Sequence, residues 1–200
     1  MNKPRKSTLH LTVNKDRVPY FFPLLTKGFT VKTKVGCSVQ DLLCRHLGLS
    51  ADYMEHRLQT IFLDGKAVDD VKDAVAVQGA TLALSAAMPG LAGATLRRCG
   101  TYAAMRHQIT HTGHSKNPMV KDGTIVLKLF NLVAKDIGFL FLAQGVQVSG
   151  NDLQRLFQKA PKHLWEGCYS VQINGKDRNV SDLSHFEWKR QQVFFKLIIR

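Results

Sequence analysis

The chain has 200 residues, 44% of them hydrophobic, and a formal net charge of +13. That length and apolar content allow one substantial core or two small ones and place it among globular proteins. Cys37, Cys44, Cys99 and Cys168 show neither CxxC spacing nor the density of a disulfide framework, which excludes a disulfide scaffold and fits reduced thiols in a cytoplasm. The charge favours acidic partners, whether nucleic acid, anionic lipid or an acidic protein surface, without choosing among them.

In chain order, residues 1–8 form a basic arm with Lys3, Arg5 and Lys6, and no apolar core of a secretory signal follows it. Leu9, Leu11 and Val13 alternate with His10 and Thr12, which predicts a half-buried strand. After a Pro-bearing loop over Val18 to Lys27, the alternation of Phe29, Val31, Thr33 and Val35 with Thr30, Lys32 and Lys34 predicts a second. Ser38 then offers an N-cap with Asp41 three residues on, and Val39, Leu42, Leu43 and Leu47 share a helical face that Gly48 ends. Leu58 to Leu63 reads as a strand, Asp64-Gly65 as a turn, and Thr81 to Ser85 as a further strand.

This order, with SVQDLL opening the helix and QGATLAL in the last strand, resembles the β-grasp fold of ubiquitin-like and sulfur-carrier proteins over roughly Leu9 to Ser85. The resemblance implies a scaffold only. Such carriers act through a C-terminal Gly-Gly, whereas this strand runs on into Met88-Pro89-Gly90 and the chain ends Leu197-Ile198-Ile199-Arg200. Fold alone does not give function.

The connector over residues 87–123 carries the unusual composition. From Ala74 to Leu96 there is no charged residue, and a run of about 18 or more apolar residues ordinarily marks a membrane span. Here Gln78, the small residues and Met88-Pro89-Gly90 argue against a transmembrane helix and for a strand entering a turn. Gly90, Gly93 and Thr95 beside Arg97, Arg98 and Arg106 outline an anion cradle, since small residues admit a ligand to the backbone and arginines supply paired donors. Tight packing with the arginines in water is the plainer alternative, because neither GxxxxGK[ST] nor GxGxxG is present.

His107, His111 and His114 follow an H-x3-H-x2-H spacing that could hold a metal, although a zinc finger is ruled out because Cys99 has no companion cysteine upstream. Cys99 with His107 or His111 is a candidate nucleophile and base, weighed against a small buried thiol. Asp64, Asp69, Asp70 and Asp73 could bind a hard cation but lack calcium-loop spacing, so a solvated turn is the expectation.

The second half echoes the first. Ile125, Leu127 and Leu129 start a strand, and Phe139 to Val148 reads as another. Ser149-Gly150-Asn151-Asp152-Leu153 opens a helix as Ser38 to Leu42 does, with Leu153, Leu156 and Phe157 on its apolar face. Ile173-Asn174-Gly175-Lys176 echoes Leu63-Asp64-Gly65-Lys66, and Val193 to Ile199 closes the chain.

The expected architecture is therefore α+β: two small β-grasp-like modules over residues 9–86 and 124–200, each a mixed sheet with one main helix, joined by the glycine-rich, partly helical connector. One mixed sheet containing both halves is the alternative. The expected function is a non-enzymatic binding or adaptor protein, without cofactor, that recognises an acidic protein or small anionic ligand through the connector and could form a homo-oligomer. Nucleic-acid binding, using the basic arm with Tyr20, Phe21 and Phe22, stands as the alternative, and a metal-dependent enzyme using the connector histidines as the next.

Overall fold

A computed structural model describes residues 5–112 and 119–200. The protein is α+β. Among the described residues, no helix is long and apolar enough to cross a membrane. The chain divides into two compact units: a terminal unit of Met1–Phe29 with Ala134–Arg200, and a central unit of Thr30–Val133.

In the terminal unit the strands run in the order β11-β10-β1-β12-β9, where β1 is Arg5–Val13, β9 Val146–Ser149, β10 Cys168–Ile173, β11 Lys176–Arg178 and β12 Gln191–Ile199. Strand β1 lies inside this sheet, parallel to β12 with Leu9 opposite Phe195 and Leu11 opposite Leu197. On its other side it runs antiparallel to β10, with Leu9 opposite Ile173. The alternation of Leu9, Leu11 and Val13 sends all three into the core. Helix α6 (Gly150–Lys159) follows β9 and buries Leu153 and Phe157. Phe157 packs against Trp188, whose ring is fully buried and whose Nε1–H donates to the Leu183 carbonyl at 2.8 Å. Gly150 is obligatory here because a Cβ would lie 1.8 Å from the Trp188 carbonyl oxygen.

In the central unit the order is β2-β8-β7-β4-β5, with β2 Phe29–Val35, β4 Thr60–Leu63, β5 Lys66–Ala67, β7 Thr81–Ser85 and β8 Lys121–Leu129. Strand β7 pairs antiparallel with β4 and parallel with β8, so Leu82 faces Leu63 on one side and Leu127 on the other. A short pair, β3 (Cys37–Ser38) with β6 (Val75–Ala76), leads into α2 (Val39–Asp41), which continues with wider π turns over Leu42–His46. The Ser38 hydroxyl accepts the expected capping bond from the Asp41 N–H at 3.0 Å, and Val39, Leu42 and Leu43 are buried.

Four features differ from the sequence expectation, the first being that residues 5–8 of the expected basic arm already belong to β1, because Ser7 and its neighbours pair with β12. The units are not the contiguous modules 9–86 and 124–200: β1 belongs with β10 and β12, and β8 with β7. Both strands alternate apolar and polar residues in the same way, and alternation says which face is buried but not which strand is the neighbour. The strand expected over Phe139 to Val148 is mostly α5 (Asn131–Gln144), with only Val146–Ser149 extended. Val133, Ile137 and Phe141 recur at helical spacing and are buried. The loop over Val18 to Lys27 is helical, a 3₁₀ segment at Lys15–Phe21 running into α1 (Phe22–Lys27), with Pro23 in the first turn where its missing N–H costs nothing.

Candidate functional site

The connector leaves β7 at Ser85 and returns at β8. At its start, the Ala86 N–H donates to the Asn131 side-chain oxygen at 3.1 Å, and Asn131 donates to the Ser85 hydroxyl at 2.8 Å. Asn131 holds a positive φ of 44°, a conformation its short polar side chain tolerates better than most. Pro89 precedes α4 (Gly90–Leu96), which turns into a 3₁₀ segment over Ala103–Ile109 with a kink at Arg106.

The small residues of α4 serve packing. A Cβ at Gly93 would meet the Met88 carbonyl oxygen at 2.0 Å, so the residue permits the turn before the helix to fold back on it. The Thr95 hydroxyl donates to the Ala92 carbonyl at 2.9 Å, and Gly90 carries a φ of 75° at the helix entrance.

Arg106 is the centre of the segment. Its side chain is 3% exposed. Its Nε donates to the Thr95 carbonyl at 2.7 Å, Nη1 to the Thr110 hydroxyl at 2.8 Å, and Nη2 to the Asp69 carboxylate at 2.6 Å and to the Arg97 carbonyl at 3.3 Å. Asp69 also accepts the Cys99 N–H at 2.8 Å, where Cys99 has a φ of 52°. A planar guanidinium with a fixed fork of donors is suited to tying several backbone carbonyls to one carboxylate. Arg98 is likewise engaged, its N–H on the Gln59 carbonyl at 2.7 Å and its guanidinium on Glu55 at 2.8 Å. Further along, the His111 N–H donates to the Ala67 carbonyl at 2.7 Å and Thr110 bridges to Ala67, so the connector covers the exposed edge of β5.

Of the six residues expected to form an anion cradle, Thr95, Arg97 and Arg106 come together, but with the backbone carbonyls of Thr95 and Arg97 facing the Arg106 guanidinium. Arg98 and Arg106 are committed to carboxylates, and the Arg97 side chain is exposed. The hollow of about 570 Å³ beside Arg98 is lined by Glu55, Asp69 and Asp70 as well as Lys72 and Arg98. Asp69, expected in a solvated turn, is instead the acceptor that ties the connector to the segment after β5 within the central unit. The signal that would have found it is the pairing of one carboxylate in the acidic stretch Asp69, Asp70, Asp73 with an arginine 37 positions away, which no local pattern carries.

The histidine expectation falls largely outside the described residues, which exclude His114 and the side chain of His107. His111 is half-buried on the β5 edge. Among the described residues, no three His, Cys, Asp or Glu side chains are placed to share a metal ion. The four cysteines are unpaired. Burial raises the thiols of Cys37, Cys44 and Cys168, with the Asp41 charge adding to the first two, which keeps them in the poorly nucleophilic protonated form at neutral pH. The Cys99 thiol lies 3.8 Å from the Asp69 carbonyl oxygen.

The pinned connector exposes large apolar side chains beside polar ones such as Arg97 and Gln108. Leu91, Tyr102, Met105 and Ile109 are between 46% and 66% exposed on the same segment that buries Arg106. Singly exposed apolar residues are ordinary on protein surfaces, whereas contiguous apolar patches are what set interaction sites apart. Comparison with protein-family models, with curated proteins and with solved structures returned no significant match.

Proposed function

We propose that the chain is a non-enzymatic binding or adaptor protein, built on two β-grasp-like modules and working in the cytoplasm, that engages an acidic protein surface through the connector. The observation that carries this reading is the division of labour within one segment. Arg106 and Arg98 brace it through Asp69 and Glu55, while Leu91, Tyr102, Met105, Ile109 and Arg97 are exposed to solvent. Interfaces draw their affinity from a few large apolar or arginine side chains held in place before binding, because a rigid segment loses little entropy on association. The formal charge of +13 favours acidic partners at long range.

The test uses the whole protein with two probes, a random glutamate–tyrosine copolymer and a single-stranded oligodeoxynucleotide. Arg97→Glu combined with Met105→Asp is expected to weaken copolymer binding by at least about tenfold, the equivalent of one well-placed anchor, while urea unfolding is unchanged. Unaltered copolymer affinity would contradict the reading. Tighter, steeply salt-dependent binding of the oligonucleotide would replace it with nucleic-acid recognition.

A further inference from the structure

A second recognition feature lies in the terminal unit, away from the connector in sequence. Helix α1 buries Leu24 and Leu25 and ends at Gly28, whose φ of 117° stops it cleanly. Helix α6 packs beside it, and Pro161 then opens α7 (Lys162–Glu166), which buries Leu164. Between α1 and α6 is a hollow of about 520 Å³, within the range of roughly 300–1,000 Å³ usual for ligand sites.

Its floor is apolar, formed by Leu24, Leu156 and Leu164, and its rim is cationic, formed by Lys27 on one side and Arg155 and Lys159 on the other. Arg155 and Lys159 are four residues apart on α6 and therefore project from the same face. The one carboxylate at the rim, Asp152, is 3.9 Å from Arg155, too long for a tight pair, and its side chain is only 25% exposed against 72% for the arginine. An apolar trough with an excess of positive charge fits a ligand that is greasy in the middle and anionic at its flanks. The cations stand on both walls, and α6 with its ten residues is about 15 Å long. A single-headed amphiphile would satisfy one wall; a polypeptide carrying several carboxylates satisfies both.

We infer that this α1/α6 trough is a docking site for an acidic peptide segment of a partner protein, with one or two large apolar side chains inserted between Asp or Glu residues. The apolar anchor displaces water from Leu24, Leu156 and Leu164, and the flanking carboxylates pair with Lys27, Arg155 and Lys159 at the rim, where such pairs set orientation and association rate more than affinity.

The experiment is fluorescence anisotropy on the full chain, with a labelled acidic peptide bearing a central Leu-Phe pair between glutamate runs, its Ser-Ser analogue, and dodecanoate as a competing small anion. The Leu-Phe peptide is expected to bind at least about tenfold more tightly than the Ser-Ser analogue. Arg155→Glu with Lys159→Glu, both on the exposed side of α6, is expected to remove that binding with the circular dichroism unchanged, and Leu156→Glu to do the same. Retention of binding by the Arg97→Glu, Met105→Asp variant separates this site from the connector. Equal binding of the two peptides, binding that survives the charge reversal, binding that depends on the connector residues instead, or binding of dodecanoate in place of the peptide would each overturn the inference.

Discussion

Arg106→Met is expected to lower the unfolding free energy of the central unit by roughly 2–4 kcal/mol, read by urea denaturation. Breaking a buried ion pair by removing one partner typically costs about 3–5 kcal/mol, because the charge left behind keeps its desolvation penalty. Asp69 is 30% exposed, so water relieves part of that penalty and the estimate drops accordingly. The loss extends beyond the pair, since the Thr95 and Arg97 carbonyls and the Thr110 hydroxyl also lose their donor. Arg106→Lys keeps the charge but has a single donating head, so it is expected to recover only about 1 kcal/mol. A change below about 0.5 kcal/mol in Arg106→Met, the range of an ordinary surface substitution, would show that the guanidinium is not holding the connector.

The second large effect concerns β1. Without residues 1–13, the terminal unit is expected not to fold, and residues 124–200 alone should give no cooperative unfolding transition in the fluorescence of Trp188, which is fully buried in the intact protein. The strand sits between β10 and β12, so its removal leaves two rows of backbone donors and acceptors without partners. Leu9, Leu11 and Val13 are at most 1% exposed. At about 1.5–3 kcal/mol for each buried side chain, their loss amounts to roughly 4.5–9 kcal/mol, as much as the whole stability of many domains. Adding a peptide of residues 5–29 to the fragment should restore the transition. A fragment 124–200 that unfolds cooperatively by itself would instead support two contiguous modules.

What was legible in the sequence was the local chemistry. The Ser38 cap forms because its hydroxyl and the Asp41 N–H are three residues apart, a relation the chain carries with it. Asp64-Gly65 and Asn174-Gly175 turn with positive φ at both residues, as short side chains and glycine allow. The α+β class follows from such signals. The neighbours of each strand do not: β1 and β12 are separated by nearly the whole chain, and a parallel pair leaves no turn between its members to read. Helix α5 was missed because its apolar residues are dense enough to satisfy a strand pattern as well as a helical one.

At the connector, the residues that the sequence singles out have packing roles that the sequence does not reveal. Glycines beside arginines suggest a ligand, but Gly93 makes room for Met88 and Arg106 turns inward to Asp69. An arginine's destination depends on a carboxylate that folding brings to it. The exposure of Leu91 and Met105 was equally hidden, since apolar residues in a sequence are expected inside.

Native-state hydrogen exchange at the amides of Arg98, Cys99 and His111 tests most directly whether the connector is a braced element and not a slack tether. These three donate to Gln59, Asp69 and Ala67. Protection within about 1–2 kcal/mol of the amides in β7 is the predicted result, placing the connector in the same cooperative unit as the sheet. Exchange at the rate of an unstructured peptide would contradict it.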